Sequence, residues 1–361
     1  MHIGLVGLPN SGKTTIFNLL TNQTLPTGPY FSQNTEMHLG VAKVHDARLD
    51  ILKKEFPKAK KTYPEIVFVD TAGFMTGESG KPGASDAQFL AALRDVEAIA
   101  YVICAFHNPE ILHVHDTVDP LRDIRKLEHE MIFNDLDVTE RKLERINKEL
   151  QAQKYKHSPV KDVLMKCKKC LEEDKALRTI QFTPEEEKLI GGFRFLSQKP
   201  AIILLNTDEK DIGKPIPKDV EKLCKGNSFP VVALSGKIEE EISECPEEDQ
   251  AELLAEHGIT EPALTKFVHA SYGLLDMISF LTAGDTEVRA WSIRRGMTAG
   301  EAAGKIHTDI QRGFIRAEVT SYEDFLHAGS MKSAKEKNFT RLEGKDYIVK
   351  DGDIILFRFN V

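Results

Sequence analysis

Short apolar runs alternate with segments whose apolar residues recur at helical spacing through most of the chain. Ile3-Gly4-Leu5-Val6 is a strand-length run, and Thr14 to Leu20 follows with Ile16, Phe17, Leu19 and Leu20 at helical spacing. Further runs are Ile66 to Val69, Ile99 to Phe106, Ala201 to Leu205 and Pro230 to Leu234. Near-continuous apolar strands separated by helical segments predict an α/β fold with a doubly wound, mostly parallel sheet. About ninety residues separate the runs ending at Phe106 and starting at Ala201, far more than a crossover needs. Within them Glu140 to Leu150 mixes charged and apolar residues at helical spacing, so an inserted helical hairpin is expected. Thr183-Pro184 with Glu186 reads as a capping-box start for its last helix. Near the C-terminus, Val288 to Ile293 and Asp353 to Phe359 read as strands and Thr298 to Ile306 as a helix carrying Ala302 and Ala303. A small mixed β/α module accounts for them.

The chemistry begins between the first strand and first helix. Gly7-Leu8-Pro9-Asn10-Ser11-Gly12-Lys13-Thr14 fits the phosphate-loop pattern G-x-x-x-x-G-K-[ST]. Its glycines allow a tight backbone whose N–H groups face phosphate, Lys13 neutralises β/γ oxygens, and the Thr14 hydroxyl suits Mg²⁺. Asn10, Ser11, Gly12, Lys13, Thr14 and Thr15 are therefore the phosphate-binding candidates, with Lys13 also a catalytic one. A glycine-bearing surface turn is the bland alternative, and the flanking strand and helix argue against it. Ile66 to Val69 runs into Asp70-Thr71-Ala72-Gly73, an acid-ended strand with the D-x-x-G spacing of a Walker B and switch II segment. Asp70 is placed on Mg²⁺ and Gly73 on the γ-phosphate.

The base-reading position departs from an ordinary GTPase. Where N-K-x-D is usual, this chain has Asn206-Thr207-Asp208-Glu209. The lysine is missing and Glu209 stands where an Asp would pair with guanine N1–H and the 2-amino group, so ATP is expected over GTP. Asp208, one place away, leaves guanine open. Ser235-Gly236-Lys237 fits the loop that closes over the base, with Gly in place of Ala.

Together these residues resemble the YchF/Obg-like ATPase family of P-loop proteins. Asp119-Pro120-Leu121-Arg122-Asp123-Ile124, Thr183-Pro184-Glu185-Glu186 and the stretch from Phe280 to Val361 carry the same resemblance, which spans nearly the whole chain. It implies a discontinuous G-domain (residues 1–135 and 197–277), a helical domain (136–196) inserted between its fourth and fifth strands, and a β-grasp domain of the TGS type (278–361). Phe74 occupies the place of the usual water-orienting glutamine, and its ring cannot hydrogen-bond water, so turnover is expected to be slow or to use another group. His113 matches a histidine of the family's pattern and is the catalytic candidate; a structural histidine is the alternative, and His115 is an equally titratable neighbour. Asn10 is a family-like candidate for holding K⁺ against the phosphates, beside the reading of a turn-forming Asn. In switch I the Mg²⁺-ligating Thr falls on Asn34, with Thr35 next, and the choice between them stays open.

Composition narrows the setting. The chain has 361 residues, 41% hydrophobic, enough for two or three cores. No apolar run has the roughly 18 to 20 residues of a membrane helix. A strand starting at His2 leaves no space for a leader, so a cytoplasmic protein without a membrane partner is expected. Five cysteines suggest reduced thiols, and Cys167-Lys168-Lys169-Cys170 lacks a second ligand pair for zinc. Net charge is -8, yet Arg141 to Cys170 holds ten Lys/Arg against three Asp/Glu, while Glu239 to Glu256 holds nine acids and no base. A basic helical arm suits ribosomal RNA; a solvated helix face is the bland reading. With the resemblance, the expectation is a monomeric, slow ATPase with Mg²⁺ that binds the ribosome, most simply its large subunit, through that arm and the TGS-type domain. The alternative is a nucleotide-gated switch for a protein partner in stress response, with incidental hydrolysis.

Overall fold

The structure, a computed structural model, describes residues 1–26, 37–70, 84–108, 113, 115–153, 158–259 and 261–360. The first seven strands are β1 (His2–Val6), β2 (His38–Lys43), β3 (Lys60–Thr62), β4 (Glu65–Asp70), β5 (Ala98–Ala105), β6 (Ala201–Thr207) and β7 (Val231–Leu234). All but β3 form one sheet in the order β2-β4-β1-β5-β6-β7. β1 pairs in parallel with both β4 and β5, and β5–β6 and β6–β7 are parallel as well. The chain thus leaves β1 with β4 on one side and β5 on the other, a topological switch point with a crevice at the strands' carboxyl ends. The phosphate loop leaves β1 there.

The central strands are apolar throughout because both faces are covered. Ile99, Tyr101 and Ile103 of β5 pack with Leu93, Ile124, Leu127 and Leu205. Tyr101 brings a polar tip into this core, and its hydroxyl donates to Glu128 Oε1 at 2.5 Å while Arg178 donates to Glu128 Oε2 at 2.6 Å.

Between β5 and β6 runs a 34-residue helix, Pro120–Gln153, and a second, Pro159–Glu172. They bury Leu143, Ile146, Leu164, Cys167 and Leu171 in a core of their own. The capping box at Thr183 and Glu186 is present and starts the helix Pro184–Ile190. Asp135 ties the returning chain to the long helix by accepting from the N–H groups of Leu196 and Ser197 at 3.0 and 2.7 Å. Burial raises its carboxyl above the ordinary value, and those hydrogen bonds oppose the shift.

The remaining strands are β8 (Met277–Ala283), β9 (Glu287–Arg294), β10 (Phe314–Thr320), β11 (Arg341–Glu343) and β12 (Ile354–Phe359). They form a mixed sheet in the order β11-β10-β12-β8-β9-β3. The helix Ala299–Ile306, opened by a Thr298/Glu301 capping box, buries Ala299, Ala302 and Ala303 against it. Small residues let helix and sheet approach closely.

The chain divides into two compact units, Met1–Val41 with Val67–Phe267 and Ala42–Ile66 with Val268–Val361. This differs from the sequence boundaries at two places. The helical insertion belongs to the first unit, and residues 42–66, expected in the G-domain, belong with the C-terminal strands. The reason is backbone pairing and one apolar helix face. β3 pairs in parallel with β9, Lys60 to Glu287 through Thr62 to Arg289. From the helix Arg48–Glu55, Leu49 and Leu52 pack against Leu281, Val288, Ala290 and Ile354. Arg48 also reaches Asp351 at 2.8 Å.

Candidate functional site

The phosphate loop is bent by two residues in the left-handed region, Asn10 at φ 64° and Gly12 at φ 84°. Glycine is required at position 12 for space as well as conformation: a Cβ there would stand 2.2 Å from Asn206 Nδ2. At Gly7 it would stand 2.6 Å from both Ser11 Oγ and the Val102 carbonyl. Among the described residues no side chain caps the start of the helix Lys13–Thr21, the end at which a helix attracts an anion. Ser11 is buried, and its hydroxyl has no hydrogen-bond partner among the described residues, which suits a polar ligand at the loop.

Under the loop Lys13 pairs with Asp70 at the end of β4, both side chains less than a tenth exposed. Thr14 Oγ1 lies 3.4 Å from the other Asp70 oxygen. A cation, a carboxylate and a hydroxyl thus meet at one point beside uncapped N–H groups. The donor set is two hard oxygens, which fits Mg²⁺ held by one carboxylate, one hydroxyl and phosphate oxygens. No cluster of three or more His, Cys, Asp or Glu suited to a metal occurs among the described residues.

Asn206 at the end of β6 donates to the Ser11 carbonyl at 3.1 Å and accepts from Gly236 N–H at 3.0 Å. It therefore joins the phosphate loop to the Ser235-Gly236 loop. Ser235 is buried at the start of the helix Gly236–Ser243. Glu209 is brought elsewhere: its carboxylate is 57% exposed and 3.9 Å from His257. Asp208 faces the backbone N–H of His107, with both oxygens at 3.3 Å, and Lys210 at 3.4 Å. Thr15 lies in the first turn of its helix, and no side-chain bond to the loop accompanies it.

His113 is nearly buried, with Nε2 2.9 Å from Asp123 Oδ2. Its Nδ1 accepts from the His115 N–H at 3.2 Å and lies 3.5 Å from Arg122 Nη2. Nδ1 is an acceptor, so Nε2 carries the proton and donates to Asp123. Asp123 has no counterpart in the sequence reading of the site, since nothing in the local spacing links it to His113 across ten residues. Thr35, Asn34, Gly73 and Phe74 lie outside the described residues.

The basic arm is less charged than its linear count. Arg141, Arg145, Lys166 and Lys168 pair with Asp137, Glu149, Glu186 and Glu140. Cys167 and Cys170 are buried in the helix Pro159–Glu172, and burial pushes the Cys167 thiol up to about 12.

Comparison with known proteins agrees with this geometry. Residues 2–166 match the family described as 50S ribosome-binding GTPase, and residues 277–360 match the YchF-GTPase C-terminal family, described as a protein of unknown function. The chain is 40% identical over 364 residues to the ribosome-binding ATPase YchF of Bacillus subtilis, covering 99% of each chain. It is 39% identical to the protein of that name from Escherichia coli O157:H7, again over 99% of each. Its structure resembles the YchF GTPase of Schizosaccharomyces pombe with a TM-score of 0.83 at 28% identity, covering 99% of this chain and 97% of that one. With 39–40% identity to these curated relatives over 99% of each chain, and a C-terminal match to the YchF-GTPase family, the chain belongs to the YchF family.

Proposed function

We propose that this protein binds and slowly hydrolyses ATP with Mg²⁺ and acts on the ribosome, as its relatives' names state of them. The carrying observation is the convergence of Lys13, Thr14 and Asp70 at the start of a helix with no side-chain cap, beside a buried Ser11 hydroxyl without a partner among the described residues. Backbone N–H groups from Asn10 to Thr15 and the Lys13 ammonium hold the phosphates, and Thr14 and Asp70 hold Mg²⁺, which neutralises charge developing on the phosphates. The Gly73 N–H would reach the γ-phosphate, and a switch I oxygen, from Asn34 or Thr35, would join the Mg²⁺ ligands. Asn10 is the position for an added K⁺. On binding, the Lys13 ammonium exchanges its carboxylate for phosphate oxygens.

Adenine is favoured because the lysine that stacks on guanine is missing and neither carboxylate is free for guanine. Asp208 is occupied by His107 and Lys210, and Glu209 stands beside His257. His113 serves where Phe74 cannot. The basic face of the inserted helical domain (136–196) and the TGS-type domain (278–361) are the ribosome contacts of a cytoplasmic monomer. Turnover of ATP and GTP should be measured with and without 50S subunits, in K⁺ and Na⁺ buffers. ATP preference, K⁺ dependence and stimulation by subunits are expected. Equal rates with and without subunits, and no co-sedimentation, would overturn the ribosomal part, and a GTP preference the purine assignment.

A further inference from the structure

We propose that Asp123 is the positioning residue for His113: it fixes the tautomer with the proton on Nε2 and makes Nδ1 the nitrogen that accepts a proton during hydrolysis. The inference rests on the reading of His113 given above and adds the group through which it works.

The geometry is that of an acid orienting an imidazole. Asp123 is 1% exposed, and its carboxylate is held on both oxygens, by Arg122 Nε at 2.9 Å on Oδ1 and His113 Nε2 at 2.9 Å on Oδ2. Arg122 is fixed in turn by Thr117, through its hydroxyl at 2.9 Å and its carbonyl at 2.7 Å. A buried carboxylate so restrained sets ring orientation and tautomer, and it stabilises the imidazolium that forms when the other nitrogen takes a proton. His115 is excluded from that role. Its Nε2 lies 3.1 Å from the Lys126 ammonium, and burial together with Lys126 and Arg122 depresses its basicity.

The pair also lies at the right end of the sheet. Asp123 lies in the first turn of the helix Pro120–Gln153, which follows β5, and the Phe106 ring just past β5 is 4.0 Å from where a Gly12 Cβ would stand. Ligands of open parallel sheets bind at these carboxyl ends. In the state described, Nδ1 accepts from the His115 N–H, so a water bonds to that nitrogen by displacing this hydrogen bond. The step then balances simply. The water oxygen bonds to the γ-phosphorus, the bridging β–γ P–O bond breaks with its electron pair leaving on the nucleoside diphosphate, and one water proton passes to Nδ1. Release to solvent restores the neutral ring.

The test uses the full chain. In D123N the amide oxygen still accepts from Nε2–H, but the charge is gone. We expect kcat to fall about tenfold or more with KM within about twofold, a range set by general-base contributions. The charged groups facing the ring among the described residues are Asp123 and Arg122, with His115 and Lys126 beyond. Loss of the Asp123 carboxylate removes the charge that stabilises the imidazolium, so the acid limb of the pH–kcat profile should differ from that of the wild type. H113A should lose that limb, and H113A/D123N should be no slower than H113A. An unchanged D123N profile, or a double mutant slower than H113A, overturns the role of Asp123 alone. Normal hydrolysis by H113A removes both Asp123 and the His113 reading. Nitrogen NMR of the wild-type ring is independent of any variant's folding: protonated Nε2 with bare Nδ1 supports the proposal, and the opposite tautomer overturns it.

Discussion

Asn206 Nδ2 donates to the carbonyl oxygen of Ser11 at 3.1 Å, so a side chain at the end of β6 is bonded to the backbone of the phosphate loop. Its Oδ1 takes the Gly236 N–H at 3.0 Å, and the same amide therefore sets the distance between the phosphate and base loops. Asn206→Ala strands a buried carbonyl and a buried N–H, each costing about 1–3 kcal/mol. Titration calorimetry should show ATP affinity reduced at least about tenfold, with the protein still folded. An affinity within twofold of wild type would show that the clamp does not hold the loops for nucleotide.

Gly12 adjoins the same amide. Gly12→Ala needs a left-handed backbone and collides with Asn206 Nδ2 at 2.2 Å. The expected result is a lowered nucleotide-free melting temperature together with loss of the further stabilisation by saturating Mg-ATP in a thermal melt.

The Lys13–Asp70 pair is buried, and breaking such a pair costs about 3–5 kcal/mol because one charge is left without its partner. Lys13→Met should lower the nucleotide-free melting temperature and abolish hydrolysis. Lys13→Met with Asp70→Asn removes both charges, so it should recover part of the lost stability and none of the activity. A double variant no more stable than the single one would show that the pair contributes nothing to the nucleotide-free fold.

Cys167 and Cys170 should behave as core residues. With the Cys167 thiol pushed to about 12 by burial, the thiolate fraction at pH 8 is on the order of one in ten thousand, and only the thiolate attacks. Maleimide labelling of native protein followed by mass spectrometry should modify Cys245, the least buried cysteine, first. Cys167 and Cys170 should react only in denaturant. Prompt labelling of the C-x-x-C pair would contradict the packing described.

A G-domain cut at residue 277 should not be stable. Truncation there removes Val288, Ala290 and Ile354 from Leu49 and Leu52, and β9 from β3. Hydrogen exchange of residues 42–66 in such a fragment should be fast, whereas in the full chain it should be protected. Retained protection would mean that the segment folds without the C-terminal strands.

Much of the site was legible because its chemistry is local in sequence. A glycine-rich turn between an apolar run and a helix identifies Gly7 to Thr14, and an acid ending the next buried run identifies Asp70. Asn206 was found the same way. Legibility failed where function depends on side chains brought together from separate segments. Asp123 is ten residues from His113 and is recognisable only by its buried contact. Glu209 holds the expected sequence position, yet its side chain turns to His257.

Taken alone, the sequence determined the parallel sheet, the helical insertion, the phosphate loop and the family. The first three are written in periodicity or spacing within a few residues, where backbone geometry leaves few alternatives, and the family in a resemblance that runs along nearly the whole chain. Only the tertiary structure decided where residues 42–66 belong. Lys60-Lys61-Thr62 has no apolar pattern, and its place in the second sheet comes from backbone hydrogen bonds to β9, which any side chains permit. It also decided the ion pairs of the arm and the partners of His113. Pairing across helices and burial beside a carboxylate set those, and neither is visible until distant residues come together.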